Sequence, residues 1–332
     1  MSKPEKIIPS LCEGFLLSKS NKTYNFRDTI LYAIGVGASQ DSTDILDLKF
    51  TYENSEEFSV IPSFVTVIPN LFENFMSFMN CPGIPEFDPL RLLHGEHKIT
   101  LHKPIPSEAQ VHQIARIETV EDKKSGALIK LVIETYDQLD SSLLCSNVAS
   151  LFLRGLGISL NYASLYKLSS GFDNKIMHKK DKKNISSLTV PSSIYSRPPD
   201  YTHIKTTSSN QAIIYRLLGD YNPLHIDPNV SQIGGFNQPI LHGLCTFGIA
   251  THGIVKAACK NNPQLIHSIA ARFSSPVTPG DQVKTEIWRD RTQNQIPRLF
   301  FRTQNLNTGK ICIDNGLVEL AESISSTNDS KI

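Results

Sequence analysis

The sequence has few of the residues on which several specialised protein classes depend. Its 332 residues include only six cysteines and one tryptophan. The cysteines form no C-x-x-C pair and have none of the short spacings typical of a zinc site, which excludes zinc-ribbon and thioredoxin-like proteins. We therefore expect reduced, mostly packed thiols. They lie at positions 12, 81, 145, 245, 259 and 312.

The chain also lacks an excess of charge and a long apolar run. Lysine and arginine total 33 against 32 aspartates and glutamates, so the net charge of +1 provides no field to hold DNA or RNA. No stretch approaches the roughly 20 apolar residues that span a membrane, and the first ten residues contain no apolar signal segment. We expect a soluble, intracellular protein that binds no nucleic acid and has no membrane span.

What is present is a repeated pattern. The chain is more than twice as long as a common domain of about 100–150 residues. Amphipathic helices are predicted at 25–37 and 210–220, which align at a shift of 183 residues. A second pair of segments, 104–111 and 276–283, shares Pro, Gln and Val at a shift of 172. The sequence therefore predicts two copies of one unit, with a net insertion in the first copy.

Each copy continues with alternating, β-branched sequence that predicts antiparallel strands. Glycine-containing turn sequences separate strands in both copies, at 124–126 and 307–309. The predicted strands are 111–117, 128–136, 145–154, 283–288, 298–304 and 311–320. A helix followed by a long antiparallel meander, twice over, predicts an α+β protein with a double hot-dog fold, in which each sheet wraps a helix.

The predicted organisation has four parts. An N-terminal hot-dog spans 1–156 and a C-terminal hot-dog spans 207–322, with a polar linker at 157–206 and a flexible tail at 323–332. The linker is rich in serine and lysine, and its lysines could bind nucleic acid or the phosphates of a coenzyme. In a nearly neutral chain without interleaved aromatic residues, a solvated loop explains them better, so we assign the linker no chemistry.

The densest polar group of residues follows the second predicted helix. Asp220 and His225 flank Asn222 in a turn that proline stiffens, so a carboxylate and an imidazole can face one water molecule. Gly243 begins a predicted buried helix, where its free backbone N–H can act as an oxyanion donor. Ordinary turn and capping chemistry explains the same residues equally well from spacing alone. A metal site formed by His225, Asp227 and His242, the first two in an H-x-D spacing, is disfavoured for want of a third close ligand pair.

A comparison of the two copies favours the functional interpretation. At the shift of 183, Gly37 stands opposite Asp220, and no Asn-Pro-x-His follows it. A turn kept only for folding is expected in both copies. The Gly35-x-Gly37 pair lacks a third glycine and a preceding strand, which excludes a dinucleotide-binding fingerprint. No G-x-S-x-G motif is present and no cysteine has a histidine pattern beside it, so covalent catalysis is not favoured.

These residues also carry a specific resemblance. The sequences YRLLGDYNPLHIDP at 215–228 and PILHGLCTFG at 239–248, with LLHGE at 92–96, resemble the (R)-specific 2-enoyl-CoA hydratase 2 family. This family comprises MaoC-like double hot-dog proteins, known also as the hydratase part of peroxisomal multifunctional enzyme type 2. The resemblance covers most of residues 10–320 and implies reversible hydration of trans-2-enoyl-CoA to (3R)-3-hydroxyacyl-CoA in β-oxidation, without a redox cofactor or a metal, by a homodimer.

The resemblance also implies roles for individual residues. Asp220 and His225 would activate the water and return a proton, Asn222 would support their geometry, and the N–H of Gly243 would polarise the thioester carbonyl. The degenerate first half would leave room for the acyl chain. The positions implied to bind acyl-CoA are His94, Gly95, Lys123, Tyr221, Pro223, Leu224 and Phe273. From sequence alone, His94 and Gly95 read as a turn, Lys123 as a solvated hairpin residue and Phe273 as a core residue.

The last three residues suggest a destination. Ser330-Lys331-Ile332 differs from the peroxisomal Ser-Lys-Leu address only in its last residue, so an import receptor is an expected partner and the peroxisome the expected compartment, with the cytoplasm as the alternative.

Two functions other than hydration remain open from the sequence. One is a different hot-dog activity on acyl thioesters, such as thioester hydrolysis or dehydration on acyl carrier protein. The other is a non-catalytic acyl-CoA binding module.

Overall fold

A computed structural model describes residues 3–41, 43–69, 71–158, 189–292 and 296–321. The helices are α1 (Pro9–Cys12), α2 (Phe26–Gly35), α3 (Leu48–Thr51), α4 (Leu71–Asn80), α5 (Gln211–Arg216), α6 (Pro228–Ile233) and α7 (Gly243–Ala258). The strands of the first half are β1 (Leu16–Tyr24), β2 (Leu92–Leu101), β3 (Ala109–Asp122), β4 (Gly126–Asp137) and β5 (Leu143–Arg154). Those of the second half are β6 (Tyr201–Thr206), β7 (Ile266–Phe273), β8 (Gln282–Arg289), β9 (Arg298–Asn305) and β10 (Ile311–Leu320).

The strands form one antiparallel sheet of ten in the order β1-β3-β4-β5-β2-β7-β10-β9-β8-β6. The order of the second half mirrors that of the first, and β2 and β7 pair at the centre, from Glu96 opposite Arg272 to Thr100 opposite Ser268. Arg272 also donates to Glu96 through its Nε and Nη2 atoms, at 2.9 and 2.6 Å. The predicted double hot-dog fold is confirmed, and one continuous sheet joins the two halves.

The two helices that the shift of 183 pairs lie against each other. The rings of Tyr32 in α2 and Tyr215 in α5 are 6.2 Å apart, and both side chains are fully buried. Gln211 donates its amide to the carbonyl oxygen of Gly35 at 2.5 Å. A Cβ at Gly35 would lie 3.2 Å from Leu218, so the small residue permits this close approach. The internal repeat therefore places equivalent residues face to face.

The halves differ in their central helix. In the second half, α7 packs on β7 and β10, and its residues from Leu244 to Val255 are buried. In the first half, the equivalent strands β2 and β5 contact a short 3-10 turn, Pro62–Thr66, which is also buried. The amphipathic α4 then packs separately on β1. The first half thus has a broken central helix, and this leaves space beside the sheet.

The structure adds four strands to those predicted and corrects the end of the predicted linker. All six predicted strands lie within observed strands, but β1, β2, β6 and β7 were missed. The linker at 157–206 was predicted too long, because Tyr201–Thr206 forms β6 and pairs with β8. Residues 159–188 of that linker, and the tail at 323–332, lie outside the described residues. All six cysteines are free and buried, as expected. Within the described segments, no helix is long and apolar enough to cross a membrane.

Candidate active site

The loop after α5 builds the first part of the site. Oδ1 of Asn222 accepts a hydrogen bond from the backbone N–H of Leu224 at 3.0 Å, which begins the 3-10 turn Pro223–His225. Oδ1 of Asp220 accepts from the backbone N–H of Asn222 at 3.3 Å. Since proline fixes its own φ angle, the turn has little freedom. The two side-chain contacts hold Asp220 and His225 in a defined relation.

His225 is held as a neutral base. Its Nδ1 atom lies 2.8 Å from the carbonyl oxygen of Ile240 and must donate to it, because a carbonyl cannot donate. The Nε2 atom of the neutral ring is therefore unprotonated. Burial lowers the pKa of His225, and the contacts with Ile240 and Asp220 oppose this only in part. At neutral pH the ring can accept a proton through Nε2.

His242 contacts both His225 and the backbone of Asp220. Its ring stacks on that of His225 with centroids 3.7 Å apart, and its Nε2 atom donates to the backbone carbonyl of Asp220 at 3.1 Å. Burial, and then the neighbouring His225, lower the pKa of His242 to about 4. Sequence reasoning considered this residue only as a metal ligand. Its observed contacts join the Asp220 loop to α7, since His242 is also the residue that precedes this helix.

Gly243 is the first residue of α7, so its backbone N–H has no acceptor within the helix. The residue is exposed, and a Cβ placed on it would lie 3.4 Å from the ring of Phe273. Phe273 ends β7 and is half-buried, so the sequence-based assignment to the core was correct only in part. An exposed N–H at this position can donate a hydrogen bond to a ligand carbonyl.

His94 completes the wall beside Gly243. Its ring meets the ring of Phe273 edge to face at 5.1 Å. The sequence-based turn at 92–96 is wrong, because His94 and Gly95 lie within β2, at a bulge where the register against β5 shifts. The structure therefore brings His94, Phe273 and Gly243 together from three separate parts of the chain.

The other positions predicted to bind substrate are more scattered. Lys123 lies in the hairpin between β3 and β4, as predicted, and pairs with Glu121 at 2.9 Å. No contact among the described residues joins it to the loop of Asp220. Tyr221 is exposed, with the guanidinium of Arg216 over its ring at 5.1 Å. Pro223 is exposed, whereas Leu224 is half-buried and packs towards Gly234 after α6.

A cleft of about 240 Å³ runs from this loop into the first half. Its walls come from both halves, and its apolar part includes Phe64, Val67 and Ile68 from the region of the broken central helix. The lining residues are Lys22, Tyr24, Asp28, Phe64, Val67, Ile68, Leu217, Leu218, Gly219 and Tyr221. A groove of similar volume, about 250 Å³, shares no residue with this cleft or with the Asp220 loop, and we do not assign it to the site.

Three potential metal ligands meet at the site. Asp220, His225 and His242 each offer one ligand atom, and these atoms lie within 4.8 Å of one another. Two histidines and a carboxylate suit several transition metals. The metal site that was disfavoured from sequence used Asp227 in place of Asp220, but Asp227 caps α6 by accepting from the backbone N–H of Asn229. A metal-free site therefore stays a prediction, which chelation tests.

The fold and the site together define a class of protein. A double hot-dog fold that places an Asp/His pair beside a helix-terminal glycine fits the MaoC-like hydratases that the sequence resembles. Residues 23–155 match the MFE-2 hydratase 2 N-terminal domain, and residues 192–310 match the MaoC like domain. A solved MaoC-like dehydratase from Phytophthora capsici is 30% identical with a TM-score of 0.76, covering 93% of this chain and 96% of that one.

Curated relatives narrow the assignment. The peroxisomal enoyl-CoA hydratase 2 of Arabidopsis thaliana is 35% identical over 275 residues, which are 82% of this chain and 84% of that one. The peroxisomal multifunctional enzyme type 2 of Mus musculus is 36% identical over 307 residues, but this chain spans only 38% of its length. The chain belongs to the enoyl-CoA hydratase 2 family.

Proposed function

We propose that this protein catalyses the reversible hydration of trans-2-enoyl-CoA to (3R)-3-hydroxyacyl-CoA in peroxisomal β-oxidation. One observation carries the proposal: buried His225, whose Nε2 atom is unprotonated, has a ring nitrogen within 4.8 Å of a carboxylate oxygen of Asp220, and its ring stacks on His242, the residue before the helix that Gly243 begins. Membership of the enoyl-CoA hydratase 2 family supports the reaction type. The names of the Arabidopsis and mouse relatives support the compartment.

In the proposed mechanism, one water molecule is held between the carboxylate of Asp220 and Nε2 of His225. The water oxygen bonds to C3 of the enoyl group as the pair takes up one of its protons. The pair then returns a proton to C2, so the elements of water are added across the double bond. Asn222 contributes by fixing the turn that carries His225, rather than by touching the substrate.

The thioester carbonyl is placed at the start of α7. As the nucleophile adds to C3, negative charge develops on the carbonyl oxygen, and the N–H of Gly243 stabilises it together with the positive end of the helix. The ring of Phe273 lies 3.4 Å from the position that a Cβ on Gly243 would take, and His94 meets that ring edge to face. In this proposal these two residues form the wall that orients the thioester.

The acyl chain occupies the cleft that leads into the first half. Its apolar lining from Phe64, Val67 and Ile68 suits a hydrocarbon chain, and Tyr221 stands at the loop end. Gly95, Pro223 and Leu224 belong to the surrounding segments. Lys123 would meet a phosphate of the coenzyme outside the cleft. We further propose a homodimer, and import through Ser330-Lys331-Ile332, which lies outside the described residues.

The proposed reaction needs no redox cofactor, because adding water across a double bond neither oxidises nor reduces the substrate overall. We also propose that it needs no metal, since the charge on the carbonyl oxygen is met by a backbone N–H and the proton is handled by His225 and Asp220. The acyl-CoA is the substrate and the single organic molecule that the site must hold.

The test follows the loss of enoyl-thioester absorbance when purified protein is mixed with trans-2-decenoyl-CoA. Chiral analysis of the product comes next, and formation of the (3R)-3-hydroxyacyl-CoA supports the proposal. Release of free CoA would instead indicate a thioesterase. Saturable binding without turnover would indicate an acyl-CoA binding module, and either result would overturn the hydratase assignment.

A further inference from the structure

A lysine side chain lies in the cleft that the proposed function assigns to the acyl chain. Lys22 lines this cleft together with the apolar residues Phe64, Val67 and Ile68. Among the described residues of the lining, no other side chain carries a positive charge. A purely hydrocarbon ligand would displace water from this ammonium group and offer no hydrogen bond in return, which costs free energy. Lys22 therefore bears on which acyl chains the cleft accepts.

The ammonium group of Lys22 contacts the first-half wall of the cleft. The residue belongs to β1 at the edge of the sheet and is exposed as a whole. Its Nζ atom donates to the backbone carbonyl of Val67 at 3.1 Å, in a partly buried hydrogen bond. An ammonium group has three N–H donors, and within the described segments this is the one hydrogen bond found for the side chain of Lys22. Two donors are thus available to a ligand.

The one carboxylate in the described lining of the cleft does not neutralise this charge. Asp28 also lines the cleft, but its Oδ2 atom accepts from the backbone N–H of Asn25 at 2.9 Å, in the capping box that begins α2. Burial lowers the pKa of Lys22, and the charge of Asp28 opposes this shift only in part. A bound anion would therefore stabilise the charged form of Lys22.

The acyl chain supplies the group that meets Lys22. The second-half wall of the cleft includes residues 217–219, which lead directly into Asp220, where the double bond of the substrate is placed under the proposed function. Lys22 belongs to the opposite wall, so the part of the acyl chain remote from the thioester reaches it. A methyl end makes no hydrogen bond there, whereas a carboxylate makes charge-assisted ones.

We propose that Lys22 is a specificity-determining residue whose ammonium group binds the terminal carboxylate of an ω-carboxyacyl-CoA. The inference rests on the proposed function for the position of the acyl chain. It adds a substrate class, the trans-2-enoyl-CoA thioesters of dicarboxylic acids, to those with a methyl end. In the complex, Nζ keeps its contact with Val67 and gives its other two donors to the carboxylate.

Calorimetric Kd values of matched ligands test this assignment. The ligands are suberoyl-, sebacoyl- and hexadecanedioyl-CoA, each paired with the acyl-CoA of the same length that ends in a methyl group. We expect the carboxylate to strengthen binding by roughly tenfold once the chain is long enough to reach Lys22, the size typical of one hydrogen bond to a charged group. Equal Kd values within every pair would overturn the proposal, because the charge of Lys22 would then be left to water.

Two substitutions of Lys22 separate the charge from the size of the side chain. Lys22→Met removes the charge and keeps an unbranched chain, so it should lose the gain from the carboxylate and bind the methyl-ended ligand at least as tightly as the wild type. Lys22→Arg keeps the charge and should keep the gain. Misfolding would weaken the binding of both ligands, so it cannot produce this pattern.

Lys19→Met is the matched control. Lys19 is an exposed residue of the same strand, and it is not among the described residues that line the cleft. The gain from the carboxylate should be the same in Lys19→Met as in the wild type. A gain that survives in Lys22→Met, or that Lys19→Met abolishes equally, would assign the carboxylate to another site and overturn the proposal.

These outcomes are distinct from those that test the hydratase assignment. The saturated ligands have no double bond to hydrate, so their Kd values report on Lys22 alone. Tighter binding of the ω-carboxy ligands without hydration of any enoyl-CoA would reject the proposed function and keep the role of Lys22. Hydration of trans-2-decenoyl-CoA with no gain from a terminal carboxylate would reject the role of Lys22 and keep the proposed function.

Discussion

At the scale of single residues, Asp220 and His225 carry the proposed chemistry. Asp220→Asn and His225→Gln each remove a proton acceptor, so we expect kcat to fall by at least about 10²-fold. Folding should persist, because Asp220 is half-buried and the turn is capped by Asn222. The assay is loss of enoyl absorbance, with Tm measured on the same samples.

Asp227→Asn is the matched control for these variants. It alters a carboxylate in the same loop, but Asp227 caps α6, and asparagine caps a helix equally well. Hydration by this variant should stay close to that of the wild type. If Asp220→Asn or His225→Gln hydrates the substrate as fast as Asp227→Asn does, the substituted residue takes no part in the mechanism.

Gly243 allows its N–H to be tested apart from its small size. Gly243→Pro removes the N–H, yet proline is favoured at the first position of a helix, and the preceding residue, His242, already has the extended φ of −58° and ψ of 136° that proline requires. We expect kcat to fall by about 10²–10³-fold, as for loss of one oxyanion donor. Gly243→Ala keeps the N–H and adds the same Cβ near Phe273, so a smaller loss is expected. Equal losses in the two variants would assign the effect to crowding.

The cluster of Asp220, His225 and His242 calls for a chelation test. If the site works without a metal, dialysis against EDTA should leave hydration unchanged, and elemental analysis should find no stoichiometric transition metal. Added Zn²⁺ should then inhibit rather than activate, because it would occupy Nε2 of His225, which the mechanism needs free. Loss of activity on chelation, restored by a metal ion, would contradict the metal-free proposal.

The predictability of the site depended on whether its residues are neighbours in sequence. Asp220, Asn222 and His225 lie within one turn, so their type and spacing alone indicated acid and base chemistry. The contacts of Phe273 with Gly243 and with His94 join distant parts of the chain, and only the fold shows them. Phe273 and His94 were predicted to bind substrate because of the family resemblance, and no local sequence signal indicated this role.

At the scale of secondary structure, strands with a simple alternation were predicted and strands shaped by the site were not. Arg298–Asn305 alternates regularly between buried and half-buried residues, as a strand with one face on the core does. Leu92–Leu101 carries His94, Gly95, Glu96 and His97 in a row, which hides its strand character. Those polar residues are satisfied by Asn147 and Arg272 across the sheet, information that no local window contains.

The segment before and within α3 is fixed to α7 by a buried carboxylate. Asp47 accepts from Nε2 of His252 at 2.9 Å and from Nζ of Lys256 at 2.8 Å, and only 2% of the residue is exposed. Burial acts to raise the pKa of Asp47, but these hydrogen bonds hold it well below its usual value. Asp47→Asn leaves Lys256 partly uncompensated, so we expect the free energy of unfolding to fall by about 3 kcal/mol.

Asp44→Asn is the matched control for this ion pair. Asp44 also contacts Lys256, but its side chain is 32% exposed, so its removal should cost less than about 1 kcal/mol. Urea unfolding of both variants measures the difference. Equal losses would show that burial of Asp47 does not decide the strength of the contact.

At the scale of the whole molecule, the two halves contribute different parts of the proposed site. The first half begins its central turn with Pro62, which has no N–H, where the second half begins α7 with Gly243. It also has Gly37 where the second half has Asp220. The first half therefore lacks both the oxyanion donor and the dyad, while its broken helix opens the cleft. The repeat was visible in sequence, but the cleft was not, because it depends on how Pro62–Thr66 and α4 pack.

The folded molecule should lose stability as the pH falls below neutral. Burial lowers the pKa of His94 to about 3 and of His97, His203 and His242 to about 4, against 6.5 for an exposed histidine. Between these values the unfolded chain binds protons that the folded chain does not, so unfolding is favoured as pH drops. Each such proton changes the free energy of unfolding by about 1.4 kcal/mol per pH unit. Urea midpoints should therefore change little from pH 7.5 to 6.5 and fall from there to pH 5, and His97→Gln, with one buried histidine fewer, should show a shallower slope. A midpoint independent of pH, or an unchanged slope in His97→Gln, would mean that these histidines gain protons in the folded state as readily as in the unfolded chain.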